Sequence, residues 1–142
     1  MTIGRLMETR NASIISCDCT TTVRDAIALL AERRIGALPV LTEGEVAGIF
    51  SERDVVYQLQ AQGPEVLDKP VGEVMTAPAL TVTPETGVLT ALALMTQRRL
   101  RHLPVVHGGK MIGFVSIGDL VKYRIDRIES EAAAMRDYIQ SA

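Results

Sequence analysis

Two short segments, Ser51-Glu-Arg-Asp54 and Ser116-Ile-Gly-Asp119, each set a hydroxyl three residues ahead of a carboxylate at the expected start of a helix. A helix N-terminus carries unpaired N–H groups and the positive end of the helix dipole, so it attracts phosphate. A serine hydroxyl there can donate to a phosphate oxygen. An aspartate one turn on is a short acceptor suited to both hydroxyls of a ribose. The pattern therefore fits a nucleotide. It fits a second role equally well, since Ser at the cap with an acid at the third helical position is close to a capping box. The two roles coexist if the pair faces a cleft.

The elements that position these pairs come from a repeat. Displaced by 65 positions, Thr21–Val56 lies over Thr86–Val121 without a gap, and Ala26, Leu38, Pro39, Val40, Gly48, Ser51 and Asp54 all meet the same residue. A unit of this length occurring twice argues for a paired module, not a solenoid. Each unit follows the order β-α-β-β-α. In the first, a β-prone Ser13–Ser16 precedes the helix "VRDAIALLAERR", with Asp18 and three threonines as candidate caps. Strands "ALPVL" and "VAGIF" follow, joined by "TEGE", and then a helix from Ser51 that Gly63-Pro64 stops. The second runs through a Leu80–Val82 strand, a Thr86–Arg99 helix, "HLPVV", "HGGK", "MIGFV" and a helix from Ser116. The expected fold is α/β (α+β): two βαββα repeats related by a pseudo-twofold, with a C-terminal helix. The expected boundaries are 3–66, 67–125 and 126–142. In the connecting stretch, Val71, Val74 and Met75 predict a short helical turn that packs.

Composition narrows the function. The 142 residues carry a net charge of −2, with 47% hydrophobic residues and no Trp. That disfavours a general attraction to nucleic acid or anionic lipid, and scarce aromatics disfavour a base-stacking platform. No run approaches ~18 apolar residues, and "MTIGRLMETR" lacks the apolar stretch of a secretory signal. Cys17 and Cys19 are too close to form a disulfide framework, so a reducing cytoplasm is expected. A zinc site using them with His102 and His107 has the wrong spacing, and no metal is expected. No nucleophile–base–orienter set, Walker loop or GxGxxG is present, so an enzyme is not expected. Arg33-Arg34 and Arg98-Arg99 end helices, where the dipole and solvation account for them.

Two features call for a partner. "AIALLA" and "LTALALM" are apolar almost all round. Val121, Ile125, Ile128, Ala132, Met135 and Ile139 are spaced 4, 3, 4, 3 and 4, an a/d heptad seam. Self-association is expected; the alternative is a tail helix packing back on its own domain.

The segments "RRIGALPVL…GEVAGIFSERDVV" and "RRLRHLPVV…GKMIGFVSIGDLV" resemble cystathionine-β-synthase (CBS) domains, and together a CBS pair or Bateman module, from about Ile3 to Ile125. The resemblance extends to small stand-alone bacterial CBS-pair proteins. It implies a non-catalytic regulatory homodimer, head-to-head or head-to-tail and built from the apolar helices, that binds AMP, ADP, ATP, NAD or S-adenosylmethionine between the repeats and acts on a partner protein. It places ribose on Asp54 and Asp119 and assigns Ser51 and Ser116 to phosphate or ribose. Ala37, Leu38, Pro39 and His102, Leu103, Pro104 would wall the adenine, with backbone around Ile15 and Leu80 reading its edge.

The halves differ where Arg101-His102 replaces Gly36-Ala37, and where Arg53 stands against Gly118. A cation beside a phosphate adds charge-assisted hydrogen bonds, so Arg53, Arg101 and His102 could converge on one polyphosphate path; the alternative is that Arg101 is a solvated surface residue and His102 a packed strand residue. The tighter site is expected around Asp119, with both cationic neighbours and Gly118 for close backbone approach. A ligand-free interaction scaffold and a nucleic-acid-binding protein are the rival readings.

Overall fold

A computed structural model of the chain describes residues 1–8 and 13–141. The elements run α1 (Ile3–Glu8), β1 (Cys17–Asp18), α2 (Val23–Arg33), β2 (Ala37–Thr42), β3 (Glu45–Ser51), α3 (Glu52–Gln62), α4 (Val88–Arg98), β4 (His102–His107), β5 (Lys110–Ser116) and α5 (Ile117–Ser141). Two 3-10 segments, Pro64–Asp68 and Val71–Glu73, join the repeats. The two βαββα halves of the sequence are recovered, with smaller departures. Ser13–Ser16 is irregular, and the first strand is Cys17–Asp18, parallel to β2. Its counterpart near Leu80–Val82 shrinks to one parallel bridge from Val82 to Val105.

Local chemistry repeats with the sequence. Both hairpins are antiparallel and shift register at the same place, between Val40 and Leu41 and between Val105 and Val106. Their two-residue turns need positive φ at both positions, supplied by Glu43-Gly44 (51° and 82°) and by Gly108-Gly109 (59° and 79°). Thr22 caps α2, its Oγ1 accepting from the Asp25 N–H at 3.2 Å. Gly63 follows α3, and its N–H donates to the Leu59 carbonyl.

Each half encloses its own core, but the segment ahead of each repeat packs into the other one. Ile3 and Leu6 are buried with Val82, Val88, Met95 and Leu103 of the second half. Val71 and Val74 are buried with Val23, Leu30, Leu38 and Phe50 of the first. These two insertions are themselves a repeat, Ile3-Gly4-Arg5-Leu6-Met7 against Val71-Gly72-Glu73-Val74-Met75, displaced by 68 positions and not 65. Their backbones dock alike. The Ile3 and Gly4 N–H groups donate to the Thr86 and Pro84 carbonyls, and the Val71 and Gly72 N–H groups to the Thr21 and Cys19 carbonyls.

This crossed packing changes where apolar surface remains open. α2 and α4 were expected to be the bare helices, but Ile27, Leu29, Leu92 and Leu94 lean on the cores completed by the inserted segments. The more exposed large apolar side chains lie on α3 (Val56, Tyr57) and along α5, while α4 leaves Leu89 open. α5 is continuous for 25 residues. It packs through Leu120 and Tyr123 and does not fold back on its own domain: from Ile125 to Ser141 all but Ala133 are exposed. No helix among the described residues is long and apolar enough to cross a membrane.

Candidate functional site

β3 and β5 end at the helices α3 and α5, and both Ser-Asp pairs form capping boxes there. The Ser51 N–H donates to Asp54 Oδ2 at 2.9 Å, and the Asp54 N–H donates to Ser51 Oγ at 3.4 Å. The Ser116 N–H donates to Asp119 Oδ2 at 2.8 Å, and the Asp119 N–H to Ser116 Oγ at 3.1 Å. The capping role is thus fulfilled. Further helix-start N–H groups are engaged by the strand ahead, Glu52 on the Gly36 carbonyl and Ile117 on the Arg101 carbonyl. Fewer N–H groups are therefore left for an anion than a bare helix terminus offers.

The same two pairs also line cavities, one on either side of a seam formed by Gly36, Ala37 and His102, which border both. Ser51 and Asp54 line a cavity of about 600 Å³, together with Leu80, Leu100 and Arg101 of the other repeat. Ser116 and Asp119 line one of about 450 Å³, together with Ile14, Ile15 and Ile35. Each carboxylate therefore faces a wall supplied by the opposite half. Volumes of this order match small-ligand pockets.

The residues expected to form the site separate clearly. Asp54, Ser51, Arg53, Arg101, Leu80, Ala37 and His102 meet at the larger cavity. Asp119, Ser116, Ile15, Ala37 and His102 meet at the smaller. Leu38, Pro39, Leu103 and Pro104 line neither: Leu38 and Leu103 are wholly buried, and both prolines are buried beside them. Consecutive residues point to opposite faces of a strand, and both faces of these strands are covered here. Gly118 is exposed on the first turn of α5 and lines neither cavity. A Cβ there would meet nothing closer than Ser116 Oγ at 3.6 Å, so packing does not require a glycine.

The charge distribution corrects the expectation that the cations gather around Asp119. Arg53, Arg98, Arg99 and Arg101 all line the Asp54 cavity. No Lys or Arg among the described residues lines the Asp119 cavity. Arg101 precedes β4 at the seam between the cavities, and it lines the Asp54 side only. Arg98 and Arg99, which end α4, were missed because a helix C-terminus already explains an arginine. Arg33 and Arg34, their repeat counterparts, line neither cavity. Thr76 was also missed; its hydroxyl donates to Asp54 Oδ1 at 2.9 Å. Its signal lay in the 68-residue echo, one position beyond Met75.

The smaller cavity has an aromatic wall. His102 stacks on Phe114 with ring centroids 5.3 Å apart and planes 12° off parallel. Burial pushes the His102 pKa down, against an upward pull from Asp119; Arg101 lowers it further and Glu52 raises it. The neutral imidazole and the phenyl ring form an offset stack at the cavity wall, a contact that aromatic pairs favour. Cys17 is buried in the first core, in step with Val82 of the second, and burial with Asp18 and Cys19 alongside pushes its thiol up to about 11. It is core, with little thiolate to bind or react.

The sequence pattern of the CBS domain matches residues 3–61 and 71–126. The CBS domain-containing protein CBSX3, mitochondrial, of Arabidopsis thaliana is 38% identical over 98% of this chain and 72% of its own length. A protein with CBS domains from Burkholderia ambifaria MC40-6 has a similar structure, with a TM-score of 0.82 and 40% identity over 89% of this chain and 95% of that one. The solved structure of CBSX2 in complex with AMP is similar with a TM-score of 0.75 and 30% identity, over 88% and 96% of the two chains. With two matched copies, two crossed cores and a cleft between them, the chain belongs to the CBS-domain family as a tandem pair.

Proposed function

We propose that this CBS pair is a non-catalytic regulatory module that binds adenosine ligands at two unequal sites and, as a homodimer, passes their occupancy to a partner protein. One observation carries the reading: each Ser-Asp cap lines a cavity whose opposite wall comes from the other repeat. A ligand in either cavity would bridge the halves, and the similar CBSX2 is a protein in complex with AMP. Asp54 and Asp119 would accept ribose hydroxyls, in competition with the hydroxyl of Thr76 at Asp54.

The two sites differ in the phosphate they favour. Four guanidiniums beside Asp54 suit a polyphosphate such as ATP or ADP. The Asp119 cavity, with its stacked His102–Phe114 wall and no Lys or Arg among the described residues that line it, suits an adenosine with little negative charge, such as AMP or S-adenosylmethionine. The arginines line a cavity of about 600 Å³, which fits one nucleotide better than a nucleic-acid strand.

Thermal unfolding against AMP, ADP, ATP, NAD and S-adenosylmethionine tests this. A ligand at ~100 times its Kd adds about 2.7 kcal/mol, a Tm rise on the order of 8 °C. Asp54→Asn is expected to remove the ATP shift and leave the AMP shift, and Asp119→Asn the reverse. If no compound in the series shifts Tm at saturation, the caps are structural only and the module is a ligand-free scaffold.

A further inference from the structure

We propose that α5 pairs with the α5 of a second copy of this chain as a parallel, in-register two-stranded coiled coil over Val121–Ile139. The six seam positions Val121, Ile125, Ile128, Ala132, Met135 and Ile139 repeat as d, a, d, a, d, a. The five large ones are between 42% and 65% exposed. Beyond Arg124 the helix runs for about 25 Å outside the body at 1.5 Å per residue. An isolated helix of that length is marginal in water unless an apolar face is covered.

The flanking charges select the occupant and its direction. In a parallel pair, each g position faces the e position five residues on in the other chain. Arg124 then faces the partner's Glu129, and Glu131 faces the partner's Arg136: opposite charges, each occurring twice by symmetry. An antiparallel pair that keeps all six seam positions sets Glu131 against the partner's Glu131, Glu129 against the partner's Glu129 and Arg136 against the partner's Lys122. All of these repel. Glu131 already bonds Arg127 at 3.4 Å within its own helix, at exposed positions where it can also turn to a partner. Lys122–Ile139 carries four cationic and four anionic side chains, so anionic lipid gains no electrostatic hold on this face.

Val121 lies four residues ahead of Ile125, where the helix leaves the body. A parallel pair therefore puts both CBS pairs at the same end, as a head-to-head dimer. This rests on the homodimer part of the proposed function and supplies its interface, whereas nucleotide binding is read separately and can stand or fail alone.

Sedimentation of the full chain provides the test. The protein is expected to be dimeric, and Ile128→Asp, at an exposed position outside the core, is expected to loosen the dimer at least tenfold with the Tm of the body retained. Arg136→Glu sets two like-charge pairs across a parallel seam and is expected to weaken association several-fold at low salt. Adding Glu131→Lys in the same chain restores it. In an antiparallel dimer Arg136→Glu strengthens association instead, because it meets the partner's Lys122. Met135→Cys in a Cys19→Ser background is expected to oxidise to a disulfide-linked dimer, because parallel register places this position beside itself. A monomer, a dimer indifferent to Ile128→Asp, a stronger dimer with Arg136→Glu, or no cross-link at Met135→Cys each overturns the proposal.

Discussion

The Asp54 and Asp119 cavities are built on the same frame and differ in almost every charged group that lines them. Both have a Ser-Asp capping box at a helix start and a wall from the opposite repeat. Around Asp54 stand four arginines and the Thr76 hydroxyl. Around Asp119 stand a stacked His102–Phe114 pair and aliphatic side chains. The counterpart of Thr76 in the 68-residue echo is Glu8, which in its ionised form has no proton to donate. What duplication preserved is the cap, which folding needs in both halves. What diverged is the surroundings, the side chains that line each cavity.

The widest expected effect concerns the contacts that close each half. Gly48 and Gly113 are equivalent mid-strand glycines, each under the methionine of an inserted segment. A Cβ at Gly48 would lie 2.7 Å from both Met75 Sδ and the Thr76 carbonyl oxygen. A Cβ at Gly113 would lie 2.6 Å from Met7 Cε and 2.8 Å from its Sδ, with no backbone as close. A flexible methionine can swing aside. The Thr76 carbonyl cannot, because it accepts the Ile49 N–H at 2.9 Å. Gly48→Ala is therefore expected to cost about 3 kcal/mol and Gly113→Ala about 1 kcal/mol by overpacking, read by urea unfolding. Gly48→Ala should also disturb the Thr76 bond to Asp54 and weaken the Asp54 cavity alone. Equal costs in the two halves would mean that the crossed segments are held equally loosely.

The next effect sharpens the contrast in charge. Arg53 and Arg101 are both exposed, so each is assigned only about 1 kcal/mol against a polyphosphate. Arg53→Ala/Arg101→Ala should thus weaken ATP roughly thirtyfold by calorimetry and leave adenosine binding within a factor of two. The same pair of changes should flatten the salt dependence of ATP binding. An equal loss for adenosine and ATP would show that the arginines shape the cavity and do not select phosphate.

Much of the frame was legible because its causes are local. The heptad seam, both hairpin turns, the caps at Ser51 and Ser116 and the helical turn at Val71 each follow from residues within a few positions. The exchange of inserted segments was not legible, because the echo of Ile3–Met7 in Val71–Met75 runs at a different displacement from the main repeat. That exchange brings Met7 to the Asp119 cavity and Thr76 to the Asp54 cavity. Arg101 was read as a neighbour of Asp119 because both lie in the second repeat; in space it borders the Asp54 cavity. The Leu-Pro pairs are expected as adenine walls from their place in the strands, yet their side chains are buried and line neither cavity. The sequence places the two carboxylates at their caps but not the side chains around them, because a carboxylate at a cap is fixed by its own turn and its neighbours by tertiary packing.

The smallest effect concerns the residue on the seam between the cavities. Ala37 and His102 are counterparts that border both, and of the two only His102 titrates. Burial holds its folded pKa below the usual 6.5, outweighing the pull of Asp119. The unfolded chain therefore takes up its proton first as pH falls. The stability this neutral imidazole confers is fully present above 6.5 and is lost as pH drops through the lowered folded value. His102→Ala should flatten that part of the pH profile and remove the stack on Phe114, while placing at this position the residue its counterpart already has. If the stack is the purine wall of the smaller cavity, the same change weakens AMP several-fold and ATP at the Asp54 cavity far less. If both ligands weaken alike, His102 serves the seam and not one cavity, and the asymmetry of the pair rests on the arginines alone.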